Sequence, residues 1–185
     1  MKKFDVVATK YAEALIKIAK PQDRLDTQAE ELNLITKIIR ANENLIKIIR
    51  HPGIKLKDKE LLLRNVLKHY SLSVDTLNLL SLLLKKDRFN LLADISSKYQ
   101  QIVDTLENRC RVDIISAVPI RKHEEEKLIT KLSNILQAKI ILNVNINPKI
   151  LGGLVLHIGD KIIDGSIQRR LFMLRKELVG RRKSE

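Results

Sequence analysis

Four histidines, one cysteine, a run of three glutamates and two glycine clusters are the residues whose types invite a chemical reading. His51, His69, His123 and His157 fall in four separate segments. No two stand three or four apart, the spacing that puts a pair of imidazoles on one helix face for a metal. Each reads as a surface or boundary residue. Glu124-Glu125-Glu126 could do acid or base work, but acids at the start of a helix are favoured by the positive end of its dipole. Gly152-Gly153 and Gly159-Asp160-Lys161 invite comparison with a phosphate loop. The Gly-Lys-Ser/Thr ending of such a loop is missing, as is the spacing of a dinucleotide fingerprint, so these read as turn and bulge glycines around a hairpin. Cys110 is the single cysteine; no internal disulfide is possible, and an apolar alternating segment makes it a small core residue. No nucleophile stands with a base. Catalysis, a metal and a cofactor are not expected.

The elements that would position any such residue follow from composition and periodicity. With 185 residues, of which 44% are hydrophobic and 3% aromatic, the chain can bury a core built from Leu, Ile and Val without disulfide staples. The formal net charge of +13 admits nucleic acid, anionic lipid or an acidic protein as a partner. The excess is shared by both halves of the chain, and the one dense cluster, Arg181-Arg182-Lys183, is short. No uncharged apolar stretch approaches the length of a membrane span, and no apolar run follows the basic Met1-Lys2-Lys3. A soluble protein that works where it is made is the expectation.

The first hundred residues carry helical spacing. Phe4, Val7, Tyr11, Leu15 and Ile18 mark a first helix ended by Pro21. Leu25, Ala29, Leu32, Ile35 and Ile38/Ile39 mark a second. A third runs from about Glu43 to the breaker His51-Pro52-Gly53, and a fourth from about Lys57 to Tyr70. The fifth spans Val74 to Lys86, with Ser73 placed to cap it. The sixth runs from about Arg88 to Asn108. Short connections between six helices argue a bundle. Near Arg109 the period changes to two. Cys110, Val112, Ile114 and Ser116 alternate as a strand; residues 122–138 form a helix; Ile140, Leu142, Val144 and Ile146 make a second strand. Leu154 to Ile158 and Lys161 to Asp164 form a hairpin across Gly159-Asp160, and Ser166 caps a final helix carrying Ile167, Leu171, Leu174 and Leu178. The predicted architecture is mainly α: a six-helix bundle over 1–107, then a small α+β domain over 108–185.

Two helices are apolar over too wide an arc. In the fifth, leucines cover more than half the circumference, whereas a surface helix needs only a stripe of about 100°. In the first, Ala8, Ala12, Ala14 and Ala19 extend the stripe on both sides. Packing within the bundle and a groove for a foreign helix both account for this.

The run from Leu151-Gly152-Gly153 through Gly159-Asp160-Lys161 to Ile163-Asp164-Gly165-Ser166-Ile167 resembles the signature of the F-type ATP synthase δ subunit family, whose mitochondrial counterpart is the oligomycin-sensitivity-conferring protein. Tyr11-Ala12 with Ala14-Leu15, Leu83 through Arg88-Phe89, and Val112 to Ala117 are similar to its first helix and middle. The resemblance covers essentially the whole chain and implies the same two-domain fold. It implies a non-catalytic stator subunit at the cytoplasmic face of a bacterial plasma membrane, coupling proton flow to ATP synthesis. The implied partners are an α-subunit N-terminus on the catalytic head and the b subunits of the peripheral stalk, with no nucleic acid and no insertion into the membrane. Tyr11, Ala14, Leu79 and Leu82 match the family's groove between first and fifth helices, and Gly153, in the second domain's signature, is the fifth residue assigned to partner binding. Where many relatives have glycine between helices five and six, Asp87 stands, a residue that tolerates the left-handed conformation. The competing reading is a basic helical RNA-binding protein of the transcription-antitermination type, which accounts for the charge but not for the α+β half; a small transferase is the third.

Overall fold

The structure is a computed structural model that describes residues 3–181, with side chains from 6 to 176. Eight α-helices and one small sheet are found among the described residues. The chain divides after Val103 into two compact units. The division falls inside the sixth helix rather than at its end. Its last turn is tied onward: Asp104 accepts from Arg111 Nε at 2.6 Å and from its Nη2 at 3.2 Å.

The first unit holds α1 (Lys3–Ala19), α2 (Leu25–Ala41), α3 (Glu43–Arg50), α4 (Leu56–Leu67), α5 (Val74–Lys85) and most of α6 (Leu92–Leu106). Pro21 sits in a 3-10 turn that ends α1. Ser73 caps α5 by accepting the Thr76 N–H at 3.3 Å. Asp87 closes α5 with φ of 52°. The Arg88 N–H reaches back to the Leu83 carbonyl at 2.9 Å and Asp87 N–H to that of Leu84 at 3.1 Å, the paired bonds of a left-handed helix stop. One core gathers apolar faces from all six helices around the fully buried Leu32, Ile35, Leu83, Ile95 and Tyr99.

Which face of α1 is inward differs from the sequence expectation. Ala8, Ala12, Leu15, Ile16 and Ala19 are buried, whereas Ile18 is 44% exposed and Val7 and Tyr11 are half-buried. Phe4 lies outside the described side chains. The alanines are the inner face because small residues let neighbouring helices approach closely.

The second unit is built on β1 (Arg109–Ser116), α7 (Lys122–Leu136), β2 (Lys139–Ile146), β3 (Leu154–Ile158), β4 (Lys161–Asp164) and α8 (Ile167–Arg181). The sheet order is β2-β1-β3-β4, with β1 parallel to β2 and antiparallel to β3. The β3–β4 hairpin pairs Ile158 with Lys161 across Gly159, whose φ is 56°. Alternation in β1 turns Val112 and Ile114 into a second small core with Leu132 of α7 and Ile140 of β2.

Candidate functional site

Among the residues that invited chemistry, Glu124 takes a structural post. Glu124 accepts the Arg121 N–H at 3.0 Å, fixing the start of α7. Among the described residues, no group of three or more His, Cys, Asp or Glu is placed to hold a metal ion. No described helix is long and apolar enough to cross a membrane. Arg182 and Lys183 of the basic tail lie outside the described residues, as does the Arg181 side chain.

The five residues assigned to partner binding fall into three situations. On α1, Tyr11 is half-buried and Ala14 exposed. On α5, Leu82 is 41% exposed but Leu79 is only 5% exposed and belongs to the core. Leu79 is therefore corrected from groove to interior: the burial of Thr76, Leu79, Leu80, Leu83 and Leu84 makes that arc of α5 its packed face. Leu77 is also 41% exposed, but it stands about 140° around the helix from Leu82, at the edge of α5 that faces α4.

Gly153 serves the backbone. Its φ is +78°, and a Cβ there would meet the Gly165 carbonyl oxygen at 2.3 Å. Two hydrogen bonds brace this approach: Gly165 N–H to Leu154 O and Ile167 N–H to Gly152 O, both 3.0 Å. Next to it, Asp164 Oδ1 accepts the Ser166 N–H at 2.9 Å, and Ser166 Oγ accepts the Arg169 N–H at 3.1 Å, capping α8. The Ser166 hydroxyl first, then its backbone N–H and the Arg169 cation, hold the Asp164 carboxyl below the usual aspartate range. The glycine signature is thus a device that folds the hairpin back onto the start of α8.

Sequence reasoning missed two features. One is a buried polar cluster between α2 and the start of α5. Glu31 accepts from the Ser73 N–H at 3.1 Å, from Ser73 Oγ at 2.6 Å and from the Thr76 hydroxyl, while Gln28 Nε2 donates to Thr76 Oγ1 at 2.6 Å. Ser73 was legible as a cap; its carboxylate partner, 42 residues earlier, was not. Burial, then the nearby Asp26 and Glu31 carboxylates, push the Tyr99 phenol above its ordinary value. The other is α8. Ile167, Leu171 and Leu174 keep the predicted spacing and are exposed, as are Phe172 and Met173, so this stripe is open; the Leu178 side chain lies outside the described residues.

The described residues thus leave apolar side chains uncovered on α5 and α8, while the polar clusters cap and brace the fold. The comparisons with known proteins identify the family: the chain belongs to the ATP synthase delta (OSCP) subunit family, whose model matches residues 7–178. The ATP synthase subunit delta of Desulfatibacillum aliphaticivorans is 32% identical over 172 residues, covering 93% of this chain and 94% of that protein. That of Geotalea uraniireducens is 29% identical over 167 residues, covering 90% and 93%. A chain of the Toxoplasma gondii mitochondrial ATP synthase hexamer superposes with a TM-score of 0.66 over 93% of this chain and 97% of its own; at 19% identity the likeness is one of fold. The protein is a structural, non-catalytic stalk subunit of ATP synthase, and nothing in these matches supports the RNA-binding alternative.

Proposed function

We propose that the protein links the catalytic head of an F-type ATP synthase to the membrane-anchored stalk. On this reading α1–α6 form a six-helix bundle, domain 1–107, seated on the α/β head. Tyr11, Ala14 and Leu82 hold the N-terminal helix of an α subunit between α1 and α5. Domain 108–185 takes the ends of the b subunits. The complex sits at the cytoplasmic face of a bacterial plasma membrane, with this chain as a peripheral member. The work is mechanical: the turning shaft drags on the head, and only a tight, long-lived tether prevents the head from turning with it.

The observation that supports this reading is the open face of α8. Fully burying a Leu or Ile is worth roughly 1.5–3 kcal/mol; Ile167, Leu171 and Leu174, each about half exposed, share one face and forgo roughly half of that each. The sequence of α8 carries five basic residues, Arg169, Arg170, Arg175, Lys176 and Arg181, against one acid, Glu177. An amphipathic helix with acidic flanks suits that surface.

Binding to two probes tests the assignment: a peptide copying the α-subunit N-terminus, and the soluble C-terminal segment of the b subunit. Ala14→Asp or Leu82→Asp should lose the first at a native thermal midpoint. Leu174→Asp should lose only the second. An unpaired charge in a dry contact costs several kcal/mol, hence orders of magnitude in Kd. A native midpoint with both affinities unchanged refutes the placement.

A further inference from the structure

We infer that the first unit carries a binding pocket for small apolar carboxylates of the benzoate class, where α2, α3 and the start of α6 meet. The pocket has a volume of about 150 Å³. The buried Ile39, Ile49 and Leu92 line it, together with the half-buried Ile46 and Phe89. An apolar cavity on the order of 150 Å³ accommodates a benzene ring. The space is therefore matched to one six-membered ring or an aliphatic group of similar bulk.

The polar groups at the pocket select the sign of the ligand. Arg40 and Arg50 are both among the lining residues and both exposed, and no carboxylate lines the pocket. Among the described residues no ion pair engages either arginine. The Thr36 hydroxyl is already committed, donating to the Leu32 carbonyl at 2.8 Å. Two guanidiniums beside an apolar space fit a ligand whose apolar body ends in a planar carboxylate, which each guanidinium can meet with paired N–H donors. Glu43 and Asp94 stand on the same helices but outside the lining. No residue of α1, α5 or the second unit contributes, so this site is distinct from the α1–α5 groove and from the α8 face.

The test is a nitrogen-15 NMR titration of the full chain with sodium benzoate, with benzyl alcohol and phenyltrimethylammonium as neutral and cationic controls at constant ionic strength. Benzoate should give saturable shifts centred on the amides of Ile49, Phe89 and Ala93. Arg50→Gln should weaken it about tenfold, roughly one charge-assisted contact. The double change Arg40→Gln with Arg50→Gln should remove it. Ala93→Leu, which fills the space, should block binding at a native midpoint. Equal binding of benzyl alcohol, shifts centred elsewhere, or no saturable shift below about 20 mM overturns the proposal.

Discussion

Replacing Gly153 with alanine should unfold the second unit's hairpin while sparing the first unit. A side chain at φ of +78° costs about 1–2 kcal/mol, by analogy with the left-handed region. The added Cβ also falls 2.3 Å from the Gly165 carbonyl oxygen, 3.1 Å from its carbon and 3.2 Å from Ser166 Cα. All three are backbone atoms, so no rotamer change relieves the clash. The hairpin must move away from the start of α8, loosening Gly165 N–H to Leu154 O and Ile167 N–H to Gly152 O, about 1 kcal/mol each. The total is about 3–4 kcal/mol. Gly159→Ala is the control: its φ is +56°, but nothing lies within 4 Å of the added carbon, so only the conformational cost of about 1–2 kcal/mol remains. In a unit of this size 1 kcal/mol shifts the midpoint by about 4–8 °C. Gly153→Ala should therefore lower it by about 12–32 °C and Gly159→Ala by about 4–16 °C. The sequence provides a clean readout. Its three tyrosines, Tyr11, Tyr70 and Tyr99, all precede the division after Val103, and there is no tryptophan. Tyrosine fluorescence should keep its transition while hydrogen exchange at β3 and β4 accelerates. Equal midpoints for the two variants would falsify the close-approach argument.

Other expectations follow from the polar clusters and from the packed side of α5. Thr76→Val keeps the shape but strips partners from Glu31 and from the buried Gln28; the loss should be about 2–3 kcal/mol, read as a lower tyrosine-monitored midpoint, and an unchanged midpoint contradicts it. Leu79→Asp puts a charge into the core and should collapse the first unit, unlike Leu82→Asp; retained cooperative unfolding would return Leu79 to the surface. Asp164 has a depressed folded pKa, so its contribution is fully present above the ordinary aspartate value and is lost as pH falls through that value toward the folded one. Carbon-13 carboxyl titration should place its midpoint below that of a free aspartate, and Asp164→Asn should remove the matching acid sensitivity of α8. A midpoint at the ordinary value would show that the Ser166 cap does not form.

Local chemistry was written in the sequence. Period-3.6 and period-2 patterns located the helices and strands, because each pattern needs only neighbours a turn or a pleat away. Ser73 and Ser166 as caps, the Gly159 turn, and the left-handed Asp87 were legible for the same reason: their partners lie within a few residues. What the sequence left open depends on partners far along the chain. On α1 and α5 the apolar arc is so wide that periodicity does not fix its centre. Packing against the other helices settled it, burying Ala8, Ala12 and Leu79 and leaving Ile18 and Leu82 outside. The Gln28–Thr76–Glu31 cluster spans 45 residues or more in sequence, beyond any local signal. The placing of β1 between β2 and β3 rests on alternating faces that several strand orders satisfy equally. Gly153 looked like a bulge or a contact until Gly165 was seen against it. The open stripe of α8 has the same spacing as a buried one; exposure is decided by what packs on a face, and a single sequence carries no record of that.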